Sequence, residues 1–146
     1  MTKLEDIHSE WARDAAIDDT ELDRVAGETP RLHSKYLRMM SDERMVLKKL
    51  EADLAELVQA KTDRLSGNMS AEDLAARGWH PEPRRLSQVQ IGPILEADHE
   101  VVNLKLRISL QREKVDCLDS IMKMILGRNY VVTNMVNWKK FINGAG

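Results

Sequence analysis

From Ile94 to Val136 apolar residues recur every seven positions, and this spacing constrains the fold more than any other feature of the chain. Counting Ile94 as heptad position a puts Val101, Ile108, Val115, Met122, Asn129 and Val136 at a, with Ala97, Leu104, Leu118, Ile125 and Val132 at d. Gln111 is the polar exception at d. A second stripe, Leu106, Leu110, Cys117, Ile121 and Met124, lies beside the first, so one partner helix cannot cover the element. The surplus apolar face argues for self-association through the C-terminal third, because a monomer would leave a ribbon exposed. Asn129 reads either as a register device in such an assembly or as part of a helix break at Gly127-Arg128-Asn129.

The rest of the chain is helical by the same criteria. Thr2-Lys3-Leu4-Glu5 has capping-box spacing, and Leu4, Ile7 and Trp11 follow at helical intervals, so a first helix is predicted over about residues 3 to 15. Thr20-Glu21-Leu22-Asp23 opens a second stretch that Gly27 and Pro30 kink or break before the pattern resumes at Arg31 and runs to Leu65. Within it Met40, Leu47, Leu50, Leu54 and Leu57 form a seam. Ser66-Gly67-Asn68 stops the helix. A connector follows, with a short helix begun at Ser70; the alternation Leu86-Ser-Gln-Val-Gln-Ile91 suits one short strand or an extended segment.

Only six aromatic residues among 146 leave the core to aliphatic side chains, which suits helices rather than a sheet. The expected fold is therefore all-α, with long antiparallel helices in coiled-coil-like packing and a central loop with room for that strand. One domain overall is expected: a helical region over 1–66 ending in a basic segment, a connecting loop over 67–93 and a helical oligomerisation region over 94–146. The oligomerisation surface is expected to be the seam of Val101, Leu104, Ile108, Val115, Leu118, Met122 and Ile125.

Chemistry is conspicuous by its absence. No GxxxxGK[ST] loop and no GxGxxG turn occur, and His8, His33, His80 and His99 are scattered without HExxH or CxxC spacing. An enzyme, a metal site and a cofactor are not expected. Cys117, the single cysteine, sits in an apolar stripe where burial disfavours a reactive thiolate. One thiol is compatible with a reducing cytoplasm, and no window has the roughly 20 apolar residues that cross a membrane, so a cytoplasmic protein with no membrane contact is expected.

The net charge of −2 excludes a globally basic nucleic-acid binder, yet residues 1–28, 29–66, 67–119 and 120–146 carry −6, +2, −2 and +4. Lys61 and Arg64 converge on the end of the long helix, with Arg84 and Arg85 at the far end of the connector. Cations there either meet a ligand or oppose the helix macrodipole, at about 0.3–1 kcal/mol each. Trp79 either stacks on an unpaired base or pins the connector. Trp138, Lys139, Lys140 and Phe141 alternate ring and charge, fit for nucleic acid, a partner or the closure of a helical bundle.

Beyond these readings the sequence resembles the UvsY family of recombination mediators of T-even-like bacteriophages. The resemblance is carried by Leu4-Glu5-Asp6, Asp14, Ile17-Asp18, Thr20, Leu22, Leu32 and Ser34-Lys35-Tyr36-Leu37. Lys61, Asp63, Ser66 and Gly67 follow in the family's basic motif, and Ile125, Arg128, Lys139, Phe141 and Gly144 near the end. It implies a ring of six or seven subunits that binds single-stranded DNA and helps a RecA-like recombinase displace the single-stranded-DNA-binding protein, in DNA repair and replication. Lys61 matches the second base of the family's DNA-binding motif, Gln59 stands where the first would be, and Arg64 has no basic counterpart there. The candidate DNA contacts are Lys61, Arg64, Arg84, Arg85 and Lys139. A function of another class, a coiled-coil adaptor or assembly chaperone that never touches DNA, fits the heptads equally well.

Overall fold

The computed structural model describes residues 2–144. Among them are seven helices and no strand: α1 (Leu4–Ala15), α2 (Leu22–Gly27), α3 (Thr29–Ser66), α4 (Ala71–Arg77), α5 (Gln88–Ala97), α6 (His99–Leu126) and α7 (Arg128–Ile142). The chain divides into two compact units, one made of residues up to Met45 with those from Gln111 onward, the other of Val46–Leu110. Both α3 and α6 contribute residues to each. No helix among the described residues is long and apolar enough to cross a membrane.

Local chemistry moved several boundaries. The cap of α1 is Lys3, not Thr2: the backbone N–H of Lys3 donates to the Asp6 carboxylate at 3.2 Å, which places the acidic partner one residue later than the Thr2–Glu5 pattern. Thr20 is engaged outside α2, its hydroxyl donating to Asp18 at 2.6 Å. The break between α2 and α3 falls at Glu28, and Pro30 takes the second position of α3, where a missing N–H costs no intrahelical bond.

The expected strand at Leu86–Ile91 is instead the entry to α5. The backbone N–H of Ser87 donates to the Gln90 side chain at 3.0 Å, a reciprocal cap that period-two counting does not register. Ile91 and Leu95, four apart, are then buried on one face, while Val89 points to solvent. The connector is correspondingly shorter than 67–93. The helix break falls at Gly127 alone, since α6 ends at Leu126 and α7 begins at Arg128, which puts Asn129 inside α7.

In the first unit, Leu32, Tyr36 and Met40 of α3 pack with Leu118, Ile121, Met122 and Ile125 of α6 and with Ile7 of α1. Glu43 meets Gln111, and Thr29 and His33 meet Ile125 and Leu126, so these two segments run antiparallel. Trp11 sets its ring edge-on to Tyr36 with centroids 5.4 Å apart. Helix α2 packs on α7, where Val25 and Val132 are buried.

The heptad seam expected to join protomers is largely this chain's own core. Leu118, Met122 and Ile125 are buried in the first unit and Val101 and Ile108 in the second, while Leu104 and Val115 are half-buried. Leu118, Met122 and Ile125 pack against Ile7 of α1 and Leu32, Tyr36 and Met40 of α3. The outward residues on α6 belong to the neighbouring stripe, with Leu106, Leu110 and Met124 exposed.

Candidate nucleic-acid interface

In the unit formed by Val46–Leu110, the last turn of α3 is the point on which the connector and the start of α6 converge. The helix stops there because Gly67 adopts φ +80, and the N–H of Asn68 donates to the Asp63 carbonyl oxygen at 2.8 Å. The connector returns to the same turn: the N–H of Leu86 donates to the Leu65 carbonyl oxygen at 3.0 Å. Leu65, Ile91 and Leu95 make a small core beneath, with Val58 and Leu86 against it.

Four of the five expected DNA-binding residues are thereby brought to one region, but in different states. Lys61 is only 13% exposed, and its ammonium lies 2.8 Å from the Asp98 carboxylate and 3.2 Å from that of Glu100. It also stands 5.2 Å from the centre of the Trp79 ring, which the Arg77 guanidinium approaches to 5.0 Å. Trp79 thus joins the connector to α3 through Lys61. Burial pushes the Asp98 carboxyl up, but the hydrogen bonds from Lys61 and the Val101 N–H outweigh it and hold Asp98 below the usual carboxylate range. Asp98 also caps α6 through that Val101 N–H, at 3.1 Å.

Arg64 is similarly committed. Its Nε donates to the His80 carbonyl oxygen at 2.8 Å, and its guanidinium is 3.9 Å from the Glu82 carboxylate. Gln59 donates to Asp63 at 2.9 Å. Arg84 and Arg85 differ: both are exposed, and neither has an ion-pair partner among the described residues. The Arg85 stem lies across the α3 terminus so closely that a Cβ at Gly67 would come within 2.8 Å of its Cγ. A side chain larger than hydrogen at Gly67 would unseat it.

Lys139 does not join this group. It belongs to the other unit, where its ammonium donates to the Asp19 carbonyl oxygen. It lines a shallow groove of about 350 Å³ with Val131, Asn134, Met135 and Trp138, and Trp138 stacks on Phe141 with ring centroids 5.7 Å apart. No cluster of three or more His, Cys, Asp or Glu able to hold a metal occurs among the described residues. Cys117 lies 3.9 Å from the His8 ring, and burial, with Glu113 nearby, pushes its thiol up, away from reactivity.

Neither Asp98 and Glu100 as partners of Lys61 nor His80 and Glu82 as partners of Arg64 are legible in the sequence. The separation of 37 residues between Lys61 and Asp98 leaves no periodic signal. What a single sequence offers is a cation on one element and an acid on another.

Comparison with known proteins agrees with this helical geometry. A family model described as recombination, repair and ssDNA binding protein UvsY matches residues 10–145. The recombination protein uvsY of Enterobacteria phage T4 is 22% identical over 142 residues, covering 97% of this chain and 98% of its own. Crystal structures of the bacteriophage T4 recombination mediator protein UvsY share the fold. Lattice type IV gives a TM-score of 0.82 at 21% identity, covering 96% of this chain and 99% of that one. Lattice type II gives 0.83 at 21%, covering 98% and 99%.

Proposed function

Because the chain belongs to the UvsY family of recombination, repair and single-stranded-DNA-binding proteins, we propose that it acts as a recombination mediator. In this reading it assembles as a ring, holds single-stranded DNA, and promotes loading of a RecA-like recombinase by displacing single-strand-binding protein. It performs no bond-making chemistry and works in the cytoplasm of the host cell. The observation that carries the reading is the family match over residues 10–145, nearly the whole chain, on a wholly helical fold.

The charge distribution supports it. Each protomer carries a net charge of −2, so binding to a polyanion has to come from a local cluster of cations. Lys61, Arg64, Arg84 and Arg85 lie around the end of α3, the first two in ion pairs and the last two exposed, and a weak site of this kind becomes a strong one when several copies face one strand. Contacts to phosphates give sequence-independent, salt-sensitive binding. Assembly is assigned to the exposed apolar residues of α6 and α7.

The test is a salt titration of binding to a fluorescent single-stranded oligonucleotide, on protein whose mass in solution is fixed by light scattering. A multimer that binds tightly at low salt and releases with a steep log–log slope is expected. A multimer that ignores the strand overturns the reading in favour of a protein-binding adaptor.

A further inference from the structure

The cations gathered at the end of α3 divide into two kinds, and the division assigns them different work. Lys61 is held by two carboxylates and an aromatic ring at 13% exposure. Arg64 is held by a carbonyl oxygen and a carboxylate belonging to the connector itself. A strand phosphate reaching Lys61 would have to replace Asp98 and Glu100, already at 2.8 and 3.2 Å, so it gains little over what the folded chain supplies. Arg84 and Arg85 are exposed and have no ion-pair partner among the described residues, so a phosphate there gains an unshared guanidinium, with its planar fork of donors.

The two groups are also mechanically linked. Arg64 fixes the connector at His80 and Glu82, immediately before the arginine pair, and the Leu86 N–H fixes it to Leu65 immediately after. Gly67 leaves the hollow in which the Arg85 stem lies. Lys61 ties α3 to the α5–α6 turn at Asp98, and α5 begins three residues beyond Arg85.

We propose that Arg84 and Arg85 are the residues that grip backbone phosphates of single-stranded nucleic acid, while Lys61 and Arg64 are positioning residues that hold the connector presenting them. This rests on the single-strand-binding reading above. It places the grip on the connector rather than on α3, where Gln59 donates to Asp63.

The experiment compares two doubly substituted full-length proteins by the slope of log affinity against log salt for a fluorescent oligothymidylate. Arg84→Gln/Arg85→Gln changes two exposed side chains. It is expected to leave the melting temperature unchanged and to lower the slope by about 0.7 for each phosphate that a protomer no longer neutralises. Lys61→Met/Glu100→Gln keeps the net charge and the stem over Trp79. It is expected to lower the melting temperature while keeping the wild-type slope. A slope that falls in the Lys61 variant as far as in the arginine variant overturns the proposal. So does an arginine variant with the wild-type slope, a result that decides the matter even if the Lys61 variant fails to fold. A wild-type protein that shows no binding at any salt overturns the single-strand-binding reading instead.

Discussion

The side-chain amide of Gln111 donates to the backbone carbonyl oxygen of Glu43 at 2.8 Å and also to the Glu43 carboxylate, with both residues buried. The one polar residue at a d position of the α6 seam is thus matched to the one buried acid on the facing stretch of α3. Leu at 111 restores the heptad but leaves the Glu43 carboxylate buried without that donor. An orphaned buried polar group costs about 1–3 kcal/mol, and more when charged. Gln111→Leu is expected to destabilise by about 3 kcal/mol in urea unfolding at fixed protomer concentration, and Gln111→Leu/Glu43→Leu to recover most of it. A single variant as stable as wild type would show that the pair is not coupled.

Arg128 closes α1 from a distance of more than a hundred residues. Its guanidinium, buried, donates to the carbonyl oxygens of Asp14 at 3.3 Å and of Ala15 and Ala16 at 3.4 Å. Those are the acceptors a helix C-terminus leaves unsatisfied, and the negative end of its dipole favours a cation there. Arg128→Met is expected to cost about 1.5–3 kcal/mol, the worth of hydrogen bonds to a charged group. Lys, a single ammonium without the fork, is expected to restore less than half. Chemical denaturation of the two variants distinguishes this from simple packing, in which Met would do as well as Lys.

The same end of α1 carries the clearest pH dependence. The Asp14 carboxylate accepts from the Lys35 ammonium at 2.6 Å and the Tyr36 hydroxyl at 2.8 Å. Burial pushes the Asp14 carboxyl up, but these two hydrogen bonds outweigh it and hold Asp14 below the usual range; burial, with Asp14 itself, pushes the Tyr36 phenol up. An unfolded aspartate titrates near ~3.9. The stabilisation from Asp14 is therefore complete well above that value and is lost as pH falls past it through the lower folded value. Asp14→Asn is expected to lower the melting temperature at pH 7 and to flatten its decline between pH 5 and 3. Parallel declines in the two proteins would remove Asp14 from the acid transition.

These pairs show what a single sequence discloses and what it hides. Helices α3, α4 and α6 are legible because apolar spacing and local punctuation agree: Gly67 ends α3, and the Ser70 hydroxyl accepts from the Asp73 N–H at 3.1 Å to begin α4. Helix α5 is hidden because Leu86, Val89 and Ile91 fit a strand until the Ser87 cap is recognised. The a/d seam is legible as a seam, but periodicity does not say which helix fills it, and much of it is buried within the chain itself. The basic residues are legible as a group; their division into paired and unpaired members is not, because Asp98 and His80 approach only through the fold.

The burial pattern of α6 separates an inward face from an outward one. Ile108 is 3% exposed and Leu110 66%, with Leu106 at 59% on the same outward side. Glu at an exposed position changes monomer stability by at most about 0.5 kcal/mol. At the centre of an apolar interface it introduces a buried, unpaired charge. Leu106→Glu/Leu110→Glu is therefore expected to keep the helical circular dichroism and to lower the mass measured by light scattering. Under the proposed function, affinity for single strands is expected to fall with it. Ile108→Ala should cost about 2–5 kcal/mol of stability at the same helix, because it opens a cavity in the chain's own core. An outward variant that keeps the full oligomeric mass would move the assembly surface off this stripe, leaving the exposed apolar residues of α7, Tyr130, Trp138, Phe141 and Ile142, to carry it.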